Sequence, residues 1–208
     1  MVWSRNFSSG GRGICGARDL SPGGHGDIAL SVRRIRMAMS LPSLHSMASR
    51  PPRLDRAHYI GLAQYFLTTC TRNRRRLFEN PRLVAVATDQ LLHAAEEQQF
   101  AVLAYCFMPD HVHVLAEGQA RTSDLLRFAR AWKQRCAVRV RAAMDVDLWQ
   151  DGFYDHVLRG EEDSLAVAAY IVANPVRAGL VKSVTEYPYS GSSLYPLHEL
   201  AEISVRRE

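Results

Sequence analysis

The chain has 208 residues, 47% of them hydrophobic, which is enough for one domain with a sizeable core and some chain to spare. Its longest apolar run, Leu165 to Ala173, falls far short of the roughly 18 residues that a membrane span needs, and Gly, Ser and Arg interrupt the N-terminus before an apolar signal core can build. A transmembrane protein is excluded and a cytoplasmic one is expected. The formal charge of +5 rests on arginine, with Lys133 and Lys182 the only lysines; residues 1–57 carry net +6 and the rest net −1, so the basic excess sits in the leader.

Residues 1–56 are rich in Gly, Ser, Arg and Pro, as in Ser8-Ser9-Gly10-Gly11 and Arg50-Pro51-Pro52-Arg53, with no sustained period. Such a segment buries too little apolar surface to offset its ordering entropy, so a disordered basic leader is expected, with a DNA-scanning arm as the functional alternative. Met37, Met39 and Met47 lie inside it and leave the translation start open. From Tyr59 the pattern becomes regular, and a folded domain is expected over 57–195, followed by a tail over 196–208.

Tyr59 to Thr71 is β-branched and aromatic and reads as a strand, while Pro81 to Gln98 sets Leu83, Val84, Ala87, Leu91 and Ala95 at helical spacing. Phe100 to Met108 and His111 to Glu117 read as two strands around a Pro109-Asp110 turn. A helix is expected from a Thr122/Ser123 cap to Met144, a strand over Tyr154 to Arg159, and a helix from Glu161 to Ala173 ended by Asn174-Pro175. Turn residues and aromatics from Glu186 onward are expected to cover one edge of the domain. The order β-α-β-β-α-β, then α, is that of an α+β ferredoxin-like split β-α-β sandwich: an antiparallel sheet with helices on one face and an extra C-terminal helix. That fold hosts many unrelated functions.

Two local patterns carry chemistry. In His111-Val112-His113 the strand period of two throws both imidazoles to one face, where they can share a divalent metal; the plainer alternative is a sheet-face histidine pair with no metal. In Tyr170-Ile171-Val172-Ala173-Asn174 the i, i+4 spacing stacks a phenol and a carboxamide on one helix face. Tyr170 is there a potential nucleophile and Asn174 a potential oxygen ligand, against the alternative of a core tyrosine and an ordinary Asn helix end. The cysteines Cys15, Cys70, Cys106 and Cys136 are scattered without a C-x-x-C pair, which argues against a zinc knuckle or a disulfide framework.

Taken with the strand order, the segments Tyr105 to His113, Trp149 to Arg159 and Tyr170 to Leu180 resemble the REP-associated tyrosine transposases of the HUH single-strand DNA endonuclease superfamily. The resemblance runs from Pro51 to Tyr195. It implies that His111 and His113 bind Mg²⁺ or Mn²⁺, that Asn174 is a polar third ligand, and that Tyr170 attacks a phosphodiester to leave a 5′-phosphotyrosine that a different 3′-hydroxyl later displaces. It also implies a single-stranded, hairpin-forming DNA partner, and leaves two assemblies open: a monomer, as in relatives of this type, or a dimer with the tyrosine supplied in trans.

For DNA contact, Arg127, Arg130 and Lys133 belong to a run of basic residues without an acidic one between them, and Trp132 offers a stacking face; a core tryptophan with a solvated basic face is the alternative. Arg72, Arg74, Arg75 and Arg76 form a second basic cluster, and Arg177 follows Tyr170 closely enough to touch the same backbone. His156 is an accessory base or a structural histidine beside Asp155. Two rival functions stay open at this point: a non-catalytic nucleic-acid-binding module on the same sandwich, and a metal phosphoesterase that uses water while Tyr170 is structural.

Overall fold

The computed structural model describes residues 55–159 and 163–205; the expected leader, apart from Asp55 and Arg56, lies outside them. In chain order the elements are β1 (Gln64–Cys70), α1 (Pro81–Glu97), β2 (Phe100–Met108), β3 (His111–Gly118), α2 (Leu125–Met144), β4 (Tyr154–Val157), α3 (Ser164–Arg177), β5 (Ser190–Gly191) and α4 (Leu197–Val205). The strands form one antiparallel sheet in the order β4-β1-β3-β2-β5. The expected ferredoxin-like α+β sandwich is borne out.

Side chains of alternate residues divide the sheet into two faces. Tyr65, Leu67, Phe107, Val112 and Val114 point to a core completed by α1 and α2, including Leu83, Leu91, Phe128 and Trp132. Phe66, Cys106, Met108 and Leu115 point to the other core, under α3 and α4. The two helices of the β-α-β-β-α-β repeat therefore share one face, as expected, and the extra helix covers the opposite one. A bulge between Val102 and Ala104 inverts the phase of β2 midway, so that Val102 and Phe107 both reach the α1/α2 core while Leu103, Ala104 and Cys106 turn to α3.

Several boundaries differ from expectation. The first strand begins at Gln64, because Gly61 (φ +107°) turns the chain and its N–H donates to the Ser123 carbonyl; Tyr59 sits before that turn, buried, with its hydroxyl donating to Asp155 at 2.8 Å. The cap of α2 is Asp124 rather than Thr122 or Ser123: its carboxylate accepts from the N–H groups of Leu126 and Arg127. The strand expected to reach Arg159 stops at Val157. Of the start expected for the following helix, Glu161 lies outside the described residues, and the helix runs from Ser164 behind an Asp163 cap.

Its end is a correction. The helix does not stop at Asn174-Pro175 but continues to Arg177 with Pro175 inside it. Proline removes the N–H that would serve the Ile171 carbonyl, and the Asn174 side-chain amide replaces it, donating to that carbonyl at 3.1 Å and to the Tyr170 carbonyl at 3.0 Å. The helix then closes on Gly179 (φ +70°), with Gly179 N–H bonded to the Val176 carbonyl and Leu180 N–H to the Pro175 carbonyl. The residues expected as a tail include α4, whose Leu200 is fully buried against the α3 side of the sheet.

Candidate active site

The face under α3 carries the polar chemistry. Strand pairing sets Tyr154, Thr68, His113, Cys106 and Ser190 in one row across the sheet, and Cys70, His111 and Met108 in the next. His111 and His113 are both buried, and their Nε2 atoms meet at 3.1 Å. Each ring is anchored through its other nitrogen: His111 Nδ1 lies 2.6 Å from Asp110 Oδ1, and His113 Nδ1 lies 2.9 Å from Thr68 Oγ1. Phe66 stacks on His113, with ring centroids 5.4 Å apart.

This arrangement fits a divalent cation. A ligating histidine typically donates its far N–H to a carboxylate, carbonyl or water, which fixes the tautomer and aims the free nitrogen. Two nitrogens about 2.1 Å from one ion at a right angle lie about 3.0 Å apart, close to the separation seen here. Burial, and then the neighbouring His111 ring and the Arg74 charge, hold the His113 pKa well below the ordinary histidine value, so it presents the neutral imidazole that coordination requires. Among the described residues no group of three or more His, Cys, Asp or Glu side chains gathers as a ligand set. The described residues thus offer two imidazoles to an ion, and any further positions would fall to amide, water or substrate oxygens.

Asp110 is held as tightly as the histidine it serves. Burial pushes its pKa up, but the hydrogen bond and electrostatic influence of the His111 ring and the charge of Arg74 outweigh that and leave the carboxyl below its usual range. Arg74 Nε sits 2.8 Å from Asp110 Oδ2. The sequence offered Asp110 only as a turn residue and Arg74 only as one of a basic cluster. The position of an acidic residue directly before H-x-H was the available signal for Asp110.

Tyr170 and Asn174 lie on α3, which packs on this same sheet face. Both are partly buried, and the Arg177 guanidinium sits 4.1 Å from the centroid of the Tyr170 ring. With its amide nitrogen bound to two carbonyls, Asn174 keeps Oδ1 as its atom for a ligand. His156 faces the same side, opposite Phe66, while its neighbour Asp155 points to the other face and receives the Tyr59 hydroxyl.

The basic residues expected to contact DNA from α2 are not brought to the histidines. Arg127 and Arg130 are exposed on α2, across the sheet, with Arg127 3.6 Å from Asp124. Lys133 donates to the carbonyls of Gln150, at 2.9 Å, and Gly152, and lies 5.6 Å from the centroid of Trp149, which ties the loop before β4 to α2. Trp132 is a core residue: it is 1% exposed, and its Nε1 donates to the Ala87 carbonyl, so its face is closed to bases.

Residues 60–174, more than half of the chain, match the family described as "Transposase IS200 like". The chain belongs to that family. Among curated proteins it is 26% identical over 159 residues to the REP-associated tyrosine transposase of Escherichia coli (strain K12), covering 72% of this chain and 92% of that one. A Haemophilus influenzae relative placed in the same group is 27% identical over 106 residues, covering 46% of this chain and 60% of its own length. A solved REP-associated tyrosine transposase bound to a REP hairpin superposes with a TM-score of 0.58 at 25% identity, over 72% of this chain and 89% of that one. The expectation of a DNA transposase of the REP-associated type is borne out. Among the described residues no helix is long and apolar enough to cross a membrane.

Proposed function

We propose that this IS200-like transposase cleaves and rejoins single-stranded DNA at hairpin-forming sequences, through Tyr170 and with Mg²⁺ or Mn²⁺ at His111 and His113. The observation that carries the reading is the convergence of the two Nε2 atoms, each ring anchored from behind, on the sheet face covered by the helix that bears Tyr170. The hairpin is supported by the solved relative, which binds one. Such a substrate fits action in the cytoplasm.

His111 and His113 would hold the cation, with Asn174 Oδ1 as the third protein ligand. When bound, the ion supplies Lewis-acid polarisation of the scissile phosphodiester. The Tyr170 oxygen attacks phosphorus, the bond from phosphorus to the 3′-oxygen breaks, and that oxygen leaves as a 3′-hydroxyl after taking a proton. The product is a 5′-phosphotyrosine, which retains the phosphodiester's energy, so a different 3′-hydroxyl can displace Tyr170 without ATP. Arg177, over the tyrosine ring and exposed, is placed to contact a phosphate beside the attacked one. Arg127 and Arg130 would contact DNA only along the far side of the domain, and His156 would act as an accessory group from the β4 edge.

The test is a denaturing gel of the protein with Mn²⁺ and single-stranded oligonucleotides that carry hairpins. A 5′-linked adduct that is lost in Tyr170→Phe and in His111→Ala/His113→Ala is the expected result. Cleavage that survives Tyr170→Phe would replace this reading with a water-using phosphoesterase, and hairpin binding without cleavage would replace it with a binding module.

A further inference from the structure

The chain takes an unusual path where β1 ends. Thr71 leaves the strand with its N–H bonded to the Asp110 carbonyl at 3.0 Å and its hydroxyl within 3.0 Å of the same carbonyl and 2.6 Å of that of Arg75. The next residues, Asn73 (φ 55°) and Arg74 (φ 56°), both adopt the left-handed conformation, which residues with a Cβ disfavour and which persists only where the surroundings over-determine it. The reversal sends the Arg74 side chain back over the end of the sheet while Arg72, Arg75 and Arg76 stay exposed.

Once there, the guanidinium uses its fork on two partners. Nε reaches Asp110 Oδ2 at 2.8 Å, and Nη1 reaches the buried Cys70 thiol at 2.8 Å. Asp110 is thereby bridged, one oxygen on Arg74 and the other on His111 Nδ1. Cys70 pairs directly opposite His111 across β1 and β3, so the second anchor lies beside the same imidazole. The strained turn, the two-point grip and the shared carboxylate all act on one ring.

We infer that Arg74 is a positioning residue for the histidine pair: it pins Asp110, and Asp110 in turn holds His111 with Nδ1 protonated and Nε2 aimed at the point it shares with His113. The inference rests on the metal-site reading above. Without Arg74 the carboxylate is free to rotate into solvent and the imidazole to change tautomer, so the pair would meet a cation unprepared.

Two readouts on the full chain test this: Mn²⁺ affinity by titration, and the ring-nitrogen NMR signals of His111 in metal-free protein. Arg74→Gly is the informative variant, because glycine accepts φ 56° and removes the guanidinium without adding backbone strain. It is expected to weaken Mn²⁺ binding about 10-fold, the lower end of what loss of an outer-shell partner costs, and to shift His111 from one tautomer to a mixture. Arg74→Lys, which keeps the charge and a donor to Asp110, recovers part of both signals; a purely structural role would move neither selectively. If the wild type binds Mn²⁺, His111→Ala abolishes it and Arg74→Gly matches the wild type with unchanged His111 signals, the inference is overturned while the metal site stands. If the wild type binds no Mn²⁺, the metal-site reading falls, and unchanged His111 signals in Arg74→Gly would remove the positioning role as well.

Discussion

The two faces of the sheet are built from different materials. Under α1 and α2 the core is aromatic: Phe100 stacks on Phe128 with centroids 4.9 Å apart, and Trp132 meets Trp149 edge-on at 5.5 Å. Under α3 and α4 small residues recur, with Ala101, Ala104, Ala166, Ala168, Ala169 and Ala173 all buried, and among them lie His111, His113 and Thr68. Large rings fill much of one layer; on the other, small side chains let a helix approach closely enough to share a surface with a polar row. One face holds the fold and the other holds the chemistry, although the same strands build both by alternation.

The sharpest way to break that division is to exchange stability for activity across it. Trp132→Ala empties the α1/α2 core and is expected to cost about 3–5 kcal/mol in urea unfolding. Tyr170→Phe, on the other face, removes a hydroxyl and keeps the ring under Arg177, so stability should stay within about 0.5 kcal/mol while the covalent DNA adduct disappears. A Tyr170→Phe protein as unstable as Trp132→Ala would show that the phenol belongs to the core after all.

Asn174 sits on the boundary between the two roles, and one substitution separates them. Asn174→Asp keeps an oxygen for a cation but removes the amide donors that serve the Tyr170 and Ile171 carbonyls beside Pro175. The expected cost is about 1–3 kcal/mol of stability from an unserved carbonyl, with Mn²⁺ binding kept or strengthened by the added charge. Loss of Mn²⁺ binding in a variant that still unfolds cooperatively would take Asn174 out of the ligand set.

These contrasts follow what could be read from the residues. The histidine pair and the Tyr170/Asn174 stripe were legible, because periods of two and of 3.6 decide which side chains share a face, and the strand order put both elements in one sandwich. The bulge in β2 was not, because Phe100 to Met108 is apolar on both faces and a phase change leaves no trace in such a run. Continuation of α3 through Pro175 was hidden for a different reason: the residue that reads as a helix end, Asn174, is the one that replaces the missing donor. Arg74 read as one of four solvated arginines, since its partner lies 36 positions away in sequence and only a left-handed turn brings the two together. Trp132 had two readings at helical spacing, and burial chose the core.

The smallest effect is the response of the metal-free protein to acid, and it too separates the faces. His113 resists protonation when folded, chiefly through burial and then through the neighbouring His111 ring and the Arg74 charge, while in the unfolded chain it titrates near 6.5. Below that value the unfolded state binds the extra proton, so the stabilisation is complete above about pH 6.5 and is lost as the pH falls, at up to about 1.4 kcal/mol per pH unit for one proton. Asp110, also held below the usual carboxylate range, adds loss of the same sign in a lower window. The core under α1 and α2 is built of apolar side chains, and the histidine on α1, His93, lies exposed beside Glu97 rather than within that core. Urea unfolding with EDTA at pH 7.5 and 5.5 should therefore show a drop that His113→Gln largely removes. An equal drop in His113→Gln would move the acid response away from the candidate site and leave the α3 face no more sensitive to protons than the aromatic one.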